Sequence, residues 1–447
     1  MHNKKSTYKV VIISLIFGCL SQFTSAQIAS SMSVFSPYTM YGIGDLHVGG
    51  GVANRAMGGI GVAWQSAVDF NYLNPASLGA ISQHSAIFQF AGEGQNHYSR
   101  TTAYNQYGAK YQSSASHNNF DIHDLGFAIP LARGIGLGFS LTPVSGVGYR
   151  TSMIDSTTSV VNNIGRAVYG YRGEGGISAV TMSFGINLVK GLNVGANMIY
   201  YFGTMDRYYN ADIYPMLNAD TYRAVKSYSK VHVSKLSFSV GAQYSVRLSK
   251  TGWLTFGGTY QPNTNINTYD RMQSVSVTGN TVDTVYIGEK PMSLNIPQKW
   301  AVGVMYQSAK WSFGFDYDRQ DWTDAFDTDV QNTGISLGVQ QQYKLGVSYT
   351  PNRMSIRSAF NRWTYKLGAR YGTSYILKDG QQLQDIAITL GFDFPLKAKS
   401  NSKISVGAEV GKRGTQYNGQ VREDYFKIFV GITFIGEDGW FRQYKLN

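Results

Sequence analysis

Residues 384–395 read QDIAITLGFDFP. Side chains of an extended strand alternate with a period of two, so Ile386, Ile388, Leu390, Phe392 and Phe394 share one face. Ala387, Thr389, Gly391 and Asp393 share the other. The pattern recurs on both sides. In KISVGAEVGK, Ile404, Val406, Ala408 and Val410 oppose Ser405, Gly407 and Glu409. In the last run Phe426, Ile428, Val430, Ile432 and Phe434 oppose Lys427, Gly431 and Thr433. One greasy face and one small or polar face describes either a soluble sandwich or a strand between lipid and a polar bore.

Composition favours the second. Charged residues are 15% of the 447, against about 25% in a typical soluble domain. The chain holds 50 Gly, 32 Tyr and 23 Phe. Mean hydropathy is only −0.20, and no run after residue 26 reaches the ~18 apolar residues of a spanning helix. A closed barrel is the other way to satisfy every backbone polar group in lipid. Strands are expected near 84–98, 119–130, 134–149, 176–189, 192–206, 229–248, 252–269, 296–308, 310–320, 336–350, 363–377, 384–396, 402–413 and 424–435. Mostly tight links then alternate with mostly long ones: 99–118, 150–175, 207–228, 270–295, 321–335 and 414–423. That asymmetry predicts an all-β chain, a transmembrane antiparallel β-barrel of about fourteen strands with both termini on the periplasmic side. Tyr200, Tyr201, Phe202, Trp253, Trp300, Trp311, Trp322, Trp363, Tyr365, Trp440 and Phe441 are read as interfacial girdles.

Lys4, Lys5 and Lys9, the apolar run 10–20 (VVIISLIFGCL) and the small residues of 21–26 (SQFTSA) predict a signal peptide over 1–26, hence export to the outer membrane. The single Cys19 lies within it, so the mature chain is expected to lack cysteine. The net charge of +12 falls by three on processing. It accords with neighbouring anionic lipid, and no zinc-finger spacing, basic helix or aromatic RNA-binding motif points to nucleic acid. The division expected is 1–26 signal, 27–83 leading segment and 84–447 barrel.

Residues 27–83 alternate poorly and are rich in Gly. Within them Arg55-Ala56-Met57-Gly58-Gly59 and Asn74-Pro75-Ala76 resemble the N-terminal hatch of the FadL-type long-chain fatty acid transporters. The ending FVGITFIGEDGWFRQYKLN is similar to that of a Bacteroidota-type member. The resemblance implies a fourteen-stranded barrel plugged by its hatch. It also implies passive passage of hydrophobic molecules and lateral exit through an opening at a kinked third strand. The site residues it marks are Arg55, Gly58, Gly59, Asn74, Pro75 and Ala76. The third strand here reads GIGLGFSLTPVSGVGYR. Pro143 has no N–H for a ladder, and Gly146 and Gly148 permit a bend. The break marks either a lateral opening or a bulge at the extracellular rim.

The opposite face of the strands carries Asp316, Asp318, Lys344, Lys366, Arg370, Asp393, Glu409 and Lys427, a polar bore suited to gripping a plug. The 207–228 stretch is read as a loop. Its Tyr208, Tyr209, Tyr214, Tyr222 and Tyr228, with Arg223 and Lys226, suit an amphipathic carboxylate or a protein, or pack over the barrel mouth. His117, Asp121 and His123 share strand parity with the lipid-facing Leu125 and Phe127. The acidic stretch 316–329 is read as a solvated loop that lacks the Gly and closing Glu of an EF-hand. Neither predicts a metal site, no cofactor is expected, and no G-x-S-x-G or other catalytic signature is present. Two functions remain. One is passive uptake of hydrophobic small molecules such as long-chain fatty acids. The other is a non-catalytic accessory barrel in an outer-membrane assembly or secretion complex. A general porin is disfavoured because a filled bore conducts poorly. Expected partners are outer-membrane lipid and lipopolysaccharide, a hydrophobic ligand and other envelope proteins, with a monomer as the default.

Overall fold

Among the described residues almost everything after residue 85 is strand, and the strands close on themselves. The computed structural model describes residues 34–83, 85–104, 110–155, 166–214, 224–278, 281–325, 335–396, 401–416 and 420–436. The signal, Cys19, Tyr222, Arg223, Trp440, Phe441 and the family-like ending past residue 436 lie outside them.

Eighteen hydrogen-bonded segments make fourteen staves, because one short segment belongs to the leading chain and three staves are each interrupted once. The staves are β1 (Ala86–Tyr104), β2 (Lys110–Ala132), β3 (Ile135–Asp155), β4 (Arg166–Val189), β5 (Leu192–Tyr214) and β6 (Ala224–Arg247). β7 runs Trp253–Gln261 and Thr264–Thr278, and β8 runs Thr281–Ile296 and Lys299–Gln307. β9 is Trp311–Asp321, and β10 is Ile335–Leu337 and Val339–Tyr349. β11 (Thr364–Lys378), β12 (Gln381–Pro395), β13 (Lys403–Arg413) and β14 (Arg422–Gly436) complete the wall. All neighbours are antiparallel, and β14 pairs β1 from Gly436↔Ala86 to Arg422↔Arg100, which closes the cylinder. β7 and β8 break at Pro262 and Pro297, where no N–H is available to the ladder.

The alternation has the expected sense. Phe88, Phe90, Phe139, Leu141, Val180, Met182, Ile388 and Leu390 are exposed on the outside. Thr389, Asp393, Ser405 and Glu409 are buried inside. So much apolar surface around a closed wall is a lipid-facing belt. Trp253, Trp300 and Trp311 lie on it. Trp322 and Tyr201 do not. Both are buried within the bore, where Trp322 packs on Tyr375 with ring centres 4.8 Å apart.

The links depart from expectation at one end. The tight turns are tight, but most of the stretches read as long loops are strand. The hairpins β1–β2, β3–β4, β5–β6 and β7–β8 run on past the belt, because their Tyr, Val and Thr pairs suit a pleated ladder. The 207–228 stretch is therefore largely β5 and β6, not a loop. The acidic stretch divides: Asp316 and Asp318 sit on β9 and are buried inside the barrel, as their strand parity predicts and not in a solvated loop, while 326–334 lie outside the described residues.

Candidate functional site

The leading segment packs against the inner wall. Of its residues 27–83, only Asp45, Arg55 and Asp69 carry formal charge, and each pairs with a barrel residue. Arg413 Nη1 lies 2.8 Å from Asp45, and Lys403 Nζ lies 2.7 Å from Asp69. Arg55, almost fully buried, pairs with Glu93 of β1 and stands 4.7 Å over the Phe429 ring. Lys427 adds a second cation 3.4 Å from Glu93. A charge withdrawn from water this completely is tolerated only when paired, so the pairs also fix position.

The motif residues explain how the segment seats. Asn74 is the cap of a short 3-10 turn, Pro75–Ala80: its Oδ1 accepts from Ala76 N at 3.1 Å, and Pro75 fills the first position, where no N–H is needed. Its Nδ2 donates to Val62 O at 2.7 Å. The helix Val52–Arg55 runs into a turn that includes Gly58 and Gly59, both at positive φ, and Gly58 N donates to Thr389 Oγ1 at 2.9 Å. Gly61 N and Val62 N both donate to Asp316, at 2.6 and 2.8 Å. Inward-facing glycines receive this backbone. A Cβ at Gly241 would stand 2.1 Å from Asn74 Oδ1, one at Gly195 2.5 Å from Pro75 C, and one at Gly368 2.1 Å from Gly58 N. The abundance of glycine thus serves close backbone approach. Met57, Ile60, Phe70 and Leu78 are fully buried between segment and wall, each worth about 1.5–3 kcal/mol.

At one place the segment becomes part of the wall. β2 and β3 pair from Ala132↔Ile135 only as far as Leu125↔Leu141. Beyond that, β2 pairs only with β1, and β3 pairs with β4 on its far side. The seam opens just before Pro143. Opposite β4 the register slips between Pro143 and Ser145, so Val144 bulges. The edge of β3 facing the seam takes the leading segment instead: Asp45↔Gly146 and Leu46↔Ser145 pair antiparallel. His47 N donates to Val144 O at 3.0 Å, Ser36 N donates to Gly148 O at 2.8 Å, and Gly148 N donates to Thr39 Oγ1 at 3.1 Å. Pro143 is therefore well inside its stave, which continues to Asp155, and not at its rim.

A cavity of about 240 Å³ lies at the seam, lined by His47, Glu93, Asp121, His123, Pro143 and Ser145 among others. His123 corrects the expected parity. An extra residue on β2 between Asp124 and Ile122, opposite Ala91 and Gly92, is His123 itself. Past that bulge the two faces exchange, so Ile122 and Phe120 point outward. His117 and Asp121 face inward with their partners His97 and Glu93, and the His117 ring stacks 3.7 Å from Phe35.

Tyr208 and Tyr209 stand on β5 above the belt, on opposite faces, and Tyr214 ends that stave. Met205, fully buried, and Arg207, which donates to Gly42 O at 2.7 Å, point inward, as does Tyr209. Tyr208 points outward. Of the hatch-like residues, only Arg55 reaches the Pro143 region, through Glu93, which lines the seam cavity; Asn74 and Pro75 seat against β4–β6, Gly58 against β10–β12, and Tyr208 lies on a different surface.

The family model described as BamG matches residues 8–447. The chain belongs to the BamG family. As a BamG-family chain it has the barrel fold of solved channels. It is 12% identical to a Pseudomonas aeruginosa FadL homologue, with a TM-score of 0.56, covering 88% of this chain and 99% of that one. The Pseudomonas putida toluene transporter TodX gives 15%, 0.52, 89% and 100%. The Ralstonia pickettii toluene transporter TbuX gives 13%, 0.52, 86% and 98%. At such identity the likeness is one of fold. No curated protein matches the chain.

Proposed function

We propose that this BamG-family chain is an outer-membrane barrel for passive uptake of hydrophobic small molecules such as long-chain fatty acids. In this reading residues 1–26 are an export signal, 27–83 a hatch and 84–447 the barrel. The tight-turn end faces the periplasm. The wall opening at Pro143, Gly146 and Gly148 is the lateral exit, and no catalytic step is involved. The carrying observation is the seam: a barrel wall whose ladder stops at Leu141 and is completed by residues 45–46 of the leading segment. A removable stopper in the wall suits release into lipid, because a greasy ligand leaving sideways never enters water. The solved barrels of like fold include two described as toluene transporters.

The test is a reversible lock. Leu46 and Ser145 are direct partners, so a disulfide in Leu46→Cys/Ser145→Cys ties the stopper to β3. Uptake of a fluorescent fatty acid by cells or proteoliposomes is expected to fall at least tenfold when oxidised and to return on reduction. Equal uptake in both states contradicts the reading.

The filled bore favours a second reading. The bore holds a packed apolar cluster including Ile43, Val147, Met205, Val231 and Leu294, all fully buried, and elsewhere along its length the Arg370–Glu409 and Lys366–Asp393 pairs, each at 2.8 Å. A barrel so solid serves equally as a non-catalytic accessory part of an outer-membrane protein assembly or secretion complex. That reading expects co-purification with other envelope proteins in mild detergent and no difference between locked and reduced states.

A further inference from the structure

The outward face of the extended hairpins β3–β4 and β5–β6 carries a concave surface that neither reading uses. Cross-strand pairing places Arg150, Arg172, Tyr208 and Tyr228 in one row. Two residues further along, Ser152, Gly170, Asn210 and Lys226 form the next row on the same face. The Asn210 amide lies over Gly170, and a groove of about 810 Å³ runs along the two rows. The parity is fixed by the inward Met205 and Arg207 on the same stave, with no register shift along this stretch of β5 and β6.

Its position follows from the stave. Tyr200 and Phe202, stacked 6.2 Å apart on the same face, belong to the aromatic border of the lipid belt. Tyr208 lies six residues further along, roughly 20 Å at ~3.4 Å per residue. The groove is thus a direct continuation of the lipid-facing wall, at the height of large headgroups in the outer leaflet.

Its chemistry is basic and aromatic. The Tyr208 and Tyr228 rings are 4.9 Å apart, Arg172 lies 5.7 Å from the Tyr208 ring, and Tyr228 donates to Asp206 at 2.9 Å, which fixes its ring. Glu174 pairs with Arg172 at 2.7 Å, and Asp206 faces Lys230 at 3.8 Å. Arg150 and Lys226 have no acidic partner among the described residues. Free cations flanking a tyrosine platform suit phosphates joined to sugar rings: the cations take phosphate oxygens, and the ring faces take the apolar faces of sugars.

We propose that this groove binds the phosphorylated sugar headgroup of an anionic glycolipid of the outer leaflet, of the lipopolysaccharide type. The site rests on the membrane orientation given above but not on transport.

The test uses the full mature chain in nanodiscs and fluorescently labelled lipopolysaccharide as the probe. Arg150→Glu/Lys226→Glu should weaken binding at least tenfold and flatten its dependence on salt, and Tyr208→Ala should weaken it severalfold. Arg247→Glu, at the tight-turn end, should leave it unchanged. Phosphatidylglycerol should compete poorly. An unshifted heat-modified gel band shows that each variant is folded. Unchanged lipopolysaccharide binding in the double variant overturns the site, as it would if the groove serves a protein. Equal competition by phosphatidylglycerol or by a free sugar phosphate also overturns it, by assigning the binding to charge alone or to a soluble ligand.

Discussion

The seam between β12 and β13 and the seam between β2 and β3 are built from the same alternating sequence, yet only one is a finished wall. From Asp385↔Arg413 to Pro395↔Lys403 every residue of β12 has a partner on β13. Between β2 and β3 the ladder ends at Leu125↔Leu141, and the edge left on β3 is covered by residues of the leading segment. A barrel can therefore be closed in two ways. One is by its neighbour, at the cost of nothing further. The other is by a strand borrowed from inside, which must be held by forces located elsewhere. In this chain those forces are the three ion pairs and the glycine-lined seat.

Breaking the strongest latch should separate the two seams most. Arg55→Ala leaves Glu93 buried, with Lys427 its one remaining salt-bridge partner among the described residues, a loss of about 3–5 kcal/mol by analogy with other buried pairs. The leading segment should then become accessible to protease, and conductance in planar bilayers should rise from near zero to a readily measured level. The β12–β13 seam, whose ladder from Asp385 to Pro395 is complete without the leading segment, should keep its heat-modifiable gel behaviour. A smaller effect sharpens the same contrast. Gly241→Ala sets a methyl 2.1 Å from Asn74 Oδ1, an overpacking cost of about 1–3 kcal/mol on docking of the segment. Gly258→Ala, whose nearest contact is Ala301 O at 3.9 Å, should change docking little. Comparable protease sensitivity in the two variants would show that the seat does not discriminate.

What the sequence made legible follows from this division. Alternation is local, so the fourteen staves, the inward charges and the outward belt are written in each short run. The fastening of the segment was half legible. Arg55 stands in a recognisable motif, whereas Asp45 and Asp69 carry no motif, although three charges alone in a long Gly-rich stretch are a signal worth reading. The end of the β2–β3 ladder was not legible, because a strand's partner is set by closure of the whole cylinder. Pro143 marks the place but does not say what covers it. His123 misled for a related reason: one bulged residue reverses every face beyond it, and nothing in NNFDIHDLGF announces the extra residue. Trp322 was taken for a girdle residue because it sits at a strand end, but the chain turns it inward onto Tyr375.

The central claim is that β3 past Pro143 is kept shut by the leading segment alone. Hydrogen–deuterium exchange of the mature protein in nanodiscs, read on peptides spanning 144–149 and 386–394, tests it directly. In the wild-type chain both should be protected. In Arg55→Ala the 144–149 amides, Gly148 among them, should exchange at least tenfold faster while 386–394 stays as it was. Equal protection of 144–149 in the two proteins would mean that the seam is closed by something other than the stopper and would contradict the account.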